Sequence, residues 1–198
     1  MTSALQIRKA AIARLGGEVP QSISEDVDEL IAANAIYDSV VGYFLTKHAW
    51  SFAVKEVEIA VTDAEPFPPW NSEYAKPADC RNVRDVRDQY GCKVAYDLRG
   101  TKIYTRRYPA SDPTLTLTYN GTPDESLWPD DFAAAVEEEL LGRLLGAFEE
   151  RIRSLEVRQI AKGMLAEAVQ RDRRQNPPFK PNRSPLLRAW RNGAVDRT

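Results

Sequence analysis

The sequence predicts an α+β fold that is mainly α: a four-helix bundle core, an inserted small antiparallel β domain and an extended C-terminal arm. Three observations lead there. Apolar residues recur at three- and four-residue steps in two stretches before residue 49 and two after residue 128. Between them lie short runs of alternating or β-branched residues, broken by proline and glycine. After residue 176, Pro177, Pro178, Pro181 and Pro185 forbid a long helix and favour an extended strap. The predicted division is 1–49 with 128–175 for the helical bundle, 50–127 for the β domain and 176–198 for the arm.

The first helix is announced by Ser3-Ala4-Leu5-Gln6, a capping box in which the serine hydroxyl and the glutamine side chain each take a free N–H. Gly16-Gly17 ends it, because glycine adopts the left-handed conformation a helix C-terminus favours. A second capping box, Ser22-Ile23-Ser24-Glu25, predicts a longer helix starting there. Val27, Leu30, Ile31, Tyr37, Val41, Phe44 and Leu45 give it one buried face, sustained to Lys47-His48.

Val54, Val57, Ile59 and Val61 then fit a strand, and Pro66, Pro68, Pro69 and Pro77 prevent any long element after it. Val83 and Val86 suggest a further strand. Lys93 to Tyr96, a turn at Asp97-Leu98-Arg99-Gly100 and Lys102-Ile103-Tyr104 read as a hairpin. Thr114 to Tyr119 alternates with period two and is the clearest strand. Helices resume at Trp128-Pro129, with Phe132, Val136, Leu140, Leu144 and Phe148 stepping by four. Ser154 is a candidate cap for a last helix carrying Val157, Ile160, Met164, Leu165 and Val169.

Composition bounds the function. Of 198 residues, 43% are hydrophobic and 28% charged, which suits a packed core rather than disorder. No apolar run reaches membrane-span length, no basic-then-apolar leader is visible, and no membrane partner is expected. The net charge is −2, yet Arg171 to Thr198 holds eight Lys/Arg against two Asp, so an acidic body carries a basic tail. The tail is spaced with Phe179, Leu186, Leu187 and Trp190, apolar anchors that cannot build a core of their own. With Arg183, Arg188 and Arg191 they are the candidate partner-binding residues. Arg81, Arg84, Arg87, Lys93, Arg99, Lys102, Arg106 and Arg107 outnumber the acids around them; Arg99, Lys102, Arg106 and Arg107 are candidate DNA or subunit contacts, set against a charged exposed strand face.

Catalytic patterns are missing. His48 is the single histidine, and neither a G-x-S-x-G elbow, a P-loop nor a dinucleotide fingerprint occurs. Cys80 and Cys92 lack metal-ligand spacing, so no metal and no cofactor are expected. The acidic groups Asp63/Glu65, Asp130/Asp131 and Glu137/Glu138/Glu139 keep one alternative open, a cell-wall hydrolase using paired carboxylates. A DNA-binding protein is the other.

Four stretches carry a resemblance. They are Leu5-Gln6-Ile7-Arg8-Lys9-Ala10-Ala11-Ile12-Ala13-Arg14-Leu15-Gly16-Gly17, Ala35-Ile36-Tyr37-Asp38, His48-Ala49-Trp50-Ser51-Phe52-Ala53 and Lys76-Pro77-Ala78-Asp79-Cys80, with the amphipathic pair from Phe132 to Gln170 behind them. Together they resemble the head-to-tail adaptors (connectors) of tailed bacteriophages, of the tail-tubular-protein-A kind, with relatives in prophages and gene transfer agents. The resemblance implies a helical bundle with a small β domain, assembled as a dodecameric ring under the portal protein. It implies a structural role and no enzyme activity: the ring extends the channel for double-stranded DNA, without sequence specificity, and offers a platform to a tail or nozzle protein. It places the protein in the virion or phage-like particle, and in the host bacterial cytoplasm before assembly.

Overall fold

The computed structural model describes residues 3–22, 24–62, 66–106, 114–148 and 150–176. Four helices, α1 (Ala4–Leu15), α2 (Asp28–Lys47), α3 (Asp130–Ala147) and α4 (Arg151–Gln175), enclose in sequence six strands: β1 (Val54–Ala60), β2 (Ser72–Ala75), β3 (Asn82–Arg87), β4 (Tyr96–Arg99), β5 (Lys102–Thr105) and β6 (Thr114–Asn120). The strands form two three-stranded antiparallel sheets, β1-β6-β3 and β2-β5-β4. About half of the structure is helical and 21% is strand. The expected mainly α fold, a bundle with one small β domain, is therefore corrected to a mixed α+β fold with a substantial β component. The second sheet was hidden because β2 and β4 are four residues long, and β2 lies among prolines. So short a strand offers too few alternations to stand out from a loop.

Helix ends explain other differences. At α1 the capping box forms, Ser3 Oγ accepting from Gln6 N and Gln6 Oε1 from Ser3 N, and Gly16 closes the helix at φ 91°. The second capping box starts no helix. Glu25 instead accepts the amides of Gln21 and Ser22, closing a turn, and α2 begins at Asp28. Ser154 caps nothing either: it lies inside α4, where its hydroxyl donates to the Gly142 carbonyl at 2.6 Å. The β4–β5 turn is Gly100-Thr101, with Arg99 opposite Lys102, two residues beyond the expected centre.

The helical half has one core, centred on Phe132. Its ring lies within 4.9–6.3 Å of Trp50, Phe52, Trp128 and Phe44, mostly edge to face, as ring quadrupoles favour. Helix α3 packs against each of the other three. It meets α4 so closely at Gly142 that an added Cβ would collide with Arg158 Cγ. The β half has its own smaller core, drawn from both sheets: Ile59, Tyr74, Val83, Val86, Ile103, Leu115, Leu117 and Tyr119, with Cys80. On β6, Leu115, Leu117 and Tyr119 point inward and the threonines that alternate with them, Thr114, Thr116 and Thr118, outward.

Candidate functional site

Three of the four predicted DNA or subunit contacts come together on one surface. In the β2-β5-β4 sheet, Tyr74 and Ile103 face the core. The opposite face carries Glu73, Tyr104 and Asp97 in one cross-strand row and Ala75, Lys102 and Arg99 in the next. Trp70 flanks it. The Arg99 guanidinium lies 5.9 Å from the Trp70 ring centroid and 5.7 Å from Tyr104, and Arg106 lies 5.4 Å from Trp70. Phe67 stands 85% exposed nearby in sequence. Lys102 binds Glu73 at 2.7 Å and holds that carboxyl below the usual range, while Arg99 binds Asp97 at 2.9 Å.

The remaining predicted cations are scattered. Arg87 and Lys93 converge on Asp85, Arg81 donates to Thr122 Oγ1, and Arg84 donates to the Ala49 carbonyl. Arg107 lies outside the described residues. So do the arm residues Phe179, Arg183, Leu186, Leu187, Arg188, Trp190 and Arg191.

A second cluster joins the two halves. His48 follows α2, and its Nε2 lies 2.9 Å from Asp172 Oδ2 near the end of α4. The other carboxylate oxygen of Asp172 accepts from the Ser51 amide at 3.1 Å and the Ser51 hydroxyl at 2.5 Å. Trp50, between them, buries its ring and donates Nε1–H to the Phe44 carbonyl. A cleft of about 680 Å³ opens beside this cluster, lined by His48, Ser51, Arg84, Arg173 and Asn176 among others. The three residue types are those of a catalytic triad, but the order is wrong. The carboxylate sits between serine and histidine, so Ser51 donates to Asp172 and the imidazole does not take its proton. The arrangement ties a helix end to the chain entering β1.

Four of the carboxylates considered for hydrolysis, Asp131, Glu137, Glu138 and Glu139, are engaged in ion pairs. Glu138 accepts from Nη1 and Nη2 of Arg14, and Glu139 bonds Arg143 and Arg158. Asp131 pairs with Arg171, and Asp63 and Glu65 lie outside the described residues. Cys80 is buried, which pushes its thiol up, and Cys92 is exposed. Among the described residues no group of three or more His, Cys, Asp and Glu is placed to hold a metal ion. Nor is any helix there long and apolar enough to cross a membrane.

Sequence reading missed Asp172 and Trp70. Asp172 lies 124 residues from His48, yet it continues the buried stripe of α4 through Val157, Ala161 and Ala168. A carboxylate at a core position was the available signal. Trp70 comes after two prolines and gave no such pattern. No known protein family matches the chain, and no curated protein shows significant similarity to it.

Proposed function

We propose that the protein is a structural head-to-tail adaptor of a phage or phage-like particle. It forms a ring under the portal, extends the DNA channel and provides the tail or nozzle protein with its platform. One observation carries the reading: each of the four stretches of the resemblance supplies residues that tie this fold together. Arg8 stacks 3.8 Å over the ring of Tyr37, whose hydroxyl donates to Glu125. His48 and Ser51 bind Asp172, and Trp50 and Phe52 surround Phe132. Asp79 accepts from Lys55 of β1 and Tyr119 of β6. A likeness confined to surface residues would carry no such information; a likeness in the ties speaks for a shared scaffold.

In this reading the cationic sheet face meets passing duplex phosphates or a neighbouring subunit, and residues 176–198 dock on the portal or on a neighbouring subunit. No cofactor or metal takes part, and the work is mechanical. The test is mass photometry of portal rings from the same particle, with and without the protein. A dodecameric increment is expected. No increment, or cell-wall hydrolysis abolished by replacing one carboxylate, sinks the proposal.

A further inference from the structure

Helix α4 packs one face inward, and among the described residues nothing covers the exposed Ile152 and Leu155 on its outer side. Ser154, Val157, Ala161 and Ala168 pack inward. On the outer side, Ile152 is 79% exposed and Leu155 68%; Ile160, 54% exposed, lies off to one flank. Ile152, Leu155, Gln159, Lys162 and Ala166 recur at three- and four-residue steps along that outer side, and all are exposed. Helix α2 carries a matching outer stripe at the same spacing: Asp28, Ile31, Ala35, Asp38 and Gly42, with Ile31 50% exposed. One stripe has a lysine within it, with Arg151 on one flank and Glu156 on the other, while Arg153 turns away to Glu150; the other stripe has two aspartates.

Direction and placement fit as well as charge. Phe44 near the end of α2 meets Phe132 at the start of α3, and Ser39 meets Arg143 further along. Arg171 near the end of α4 meets Asp131 at the start of α3. Both α2 and α4 therefore run antiparallel to α3 and parallel to each other. Their outer stripes face away from α3, so the two cannot meet within one chain. A rotation about an axis along the helices brings α4 of one copy beside α2 of the next without reversing either. Setting the stripes in parallel puts Ile152 against Asp28, Leu155 against Ile31, Gln159 against Ala35 and Lys162 against Asp38, a seam that ends before Gly42, where Arg81 of the same chain lies alongside, and whose charged pair fixes its register. Because the two surfaces differ, the contact repeats head to tail and closes into a ring where the rotation allows.

We infer that the outer face of α4 docks on the outer face of α2 of a second copy of this chain, in parallel, with Lys162 facing Asp38. This assigns the self-contact of the ring proposed above, and it rests on that reading only for the ring's closure.

The test uses full-length chains carrying Cys92→Ser, one with Ile31→Cys and one with Leu155→Cys, tagged to differ in mass and oxidised together. Both substitutions lie at exposed positions, so circular dichroism should match the parent. The mixed disulfide is expected in at least about tenfold excess over either homodimer. Asp38→Lys should cut its yield at least about tenfold, and Lys162→Asp on the other chain should restore it. Leu155→Cys homodimers equalling the mixed product would mean a two-fold contact and overturn the inference. So would an equally abundant internal disulfide in Leu155→Cys/Leu187→Cys, which would put the chain's own C-terminal segment on the stripe. Cross-linking no greater than that of the native Cys92 thiol also overturns it. Portals are absent, so these results stand apart from portal binding. Cross-linking without portal binding would sink the adaptor reading alone, and portal binding without cross-linking this contact alone.

Discussion

The two halves of this molecule hide charge in opposite ways. The helical half draws it inward: Glu138, Glu139 and Asp172 are buried, each held by arginine, serine or histidine, and Arg8 lies on an aromatic ring. Among its described residues the β half buries one carboxylate, Glu73, and sets most of its pairs at the surface, as in Arg87–Asp85 and Arg99–Asp97. Buried pairs are costly to break because the remaining partner is stranded in a low dielectric. Exposed pairs contribute little to stability and leave their cations reachable. The helical half is thus built to stay rigid, and the β half to present a charged surface.

The strongest test of that contrast is in the cores. Phe132→Ala removes the ring around which Trp50, Phe52, Trp128 and Phe44 pack. It should cost about 3–5 kcal/mol. Leu117→Ala in the smaller β core should cost about 2–5 kcal/mol by the same transfer and cavity terms. Urea unfolding monitored by far-UV ellipticity would measure both. If Leu117→Ala proves clearly the more damaging, the β half holds up the helical half and the contrast is reversed.

Next comes the tie between the halves. Asp172→Ala orphans the Ser51 amide and hydroxyl and the His48 ring, and hydrogen bonds to a charged group suggest a loss of about 1.5–3 kcal/mol. Asp172→Asn keeps an acceptor for Ser51 and should lose less. Equal losses in the two variants would mean that charge, not the hydroxyl contact, carries the tie.

The same contrast governs what could be read from the chain alone. Helical periodicity in α3 survives because eighteen residues repeat the pattern many times, and the Ser3–Gln6 capping box is a local device needing no distant partner. The second capping box looked the same in sequence yet formed only a turn, since the apolar stripe that must drive helix formation starts at Leu30 among buried residues. In the β half, β2 and β4 are defined by pairing with β5 rather than by their own four residues. Cations 99, 102 and 106 were visible as a charge excess. Their gathering around Trp70 depended on strand register, which no local pattern records.

A smaller effect is a pH dependence within the β half. In the β half, the Tyr119 hydroxyl donates to Asp79 at 3.0 Å, and Lys55 binds the other oxygen at 2.7 Å. These partners, Lys55 foremost, hold the Asp79 carboxyl below its ordinary value. Burial, then Asp79, pushes the tyrosine up to about 12. A depressed carboxyl stabilises the fold above its unfolded pKa and loses that contribution as pH falls through the folded one. A raised tyrosine contributes fully below pH 10 and loses its contribution as pH climbs from 10 towards 12. Urea midpoints across pH should therefore fall at both ends, with Asp79→Asn flattening the acid limb and Tyr119→Phe the alkaline one. An alkaline limb unchanged in Tyr119→Phe would assign that loss to other groups.

The smallest stability effect belongs to the outer face of the β2-β5-β4 sheet, and there it should be paired with a clear change in binding. Arg99 is 58% exposed and its pair with Asp97 is a surface one, so Arg99→Ala should shift stability by no more than about 0.5 kcal/mol, and Arg106→Ala likewise. If the face tracks duplex phosphates, each cation removed should lower the slope of log affinity against log salt by about one, whatever the DNA sequence. Lys102 offers an internal control. It sits on Glu73, a carboxylate whose residue is only 5% exposed, so its removal strands a buried charge. Lys102→Ala should therefore destabilise more than either arginine variant while changing the salt slope less. If all three variants lower the slope equally and leave stability alone, the Lys102–Glu73 pair is not the restraint its geometry suggests. If none moves the slope, the face meets protein rather than nucleic acid.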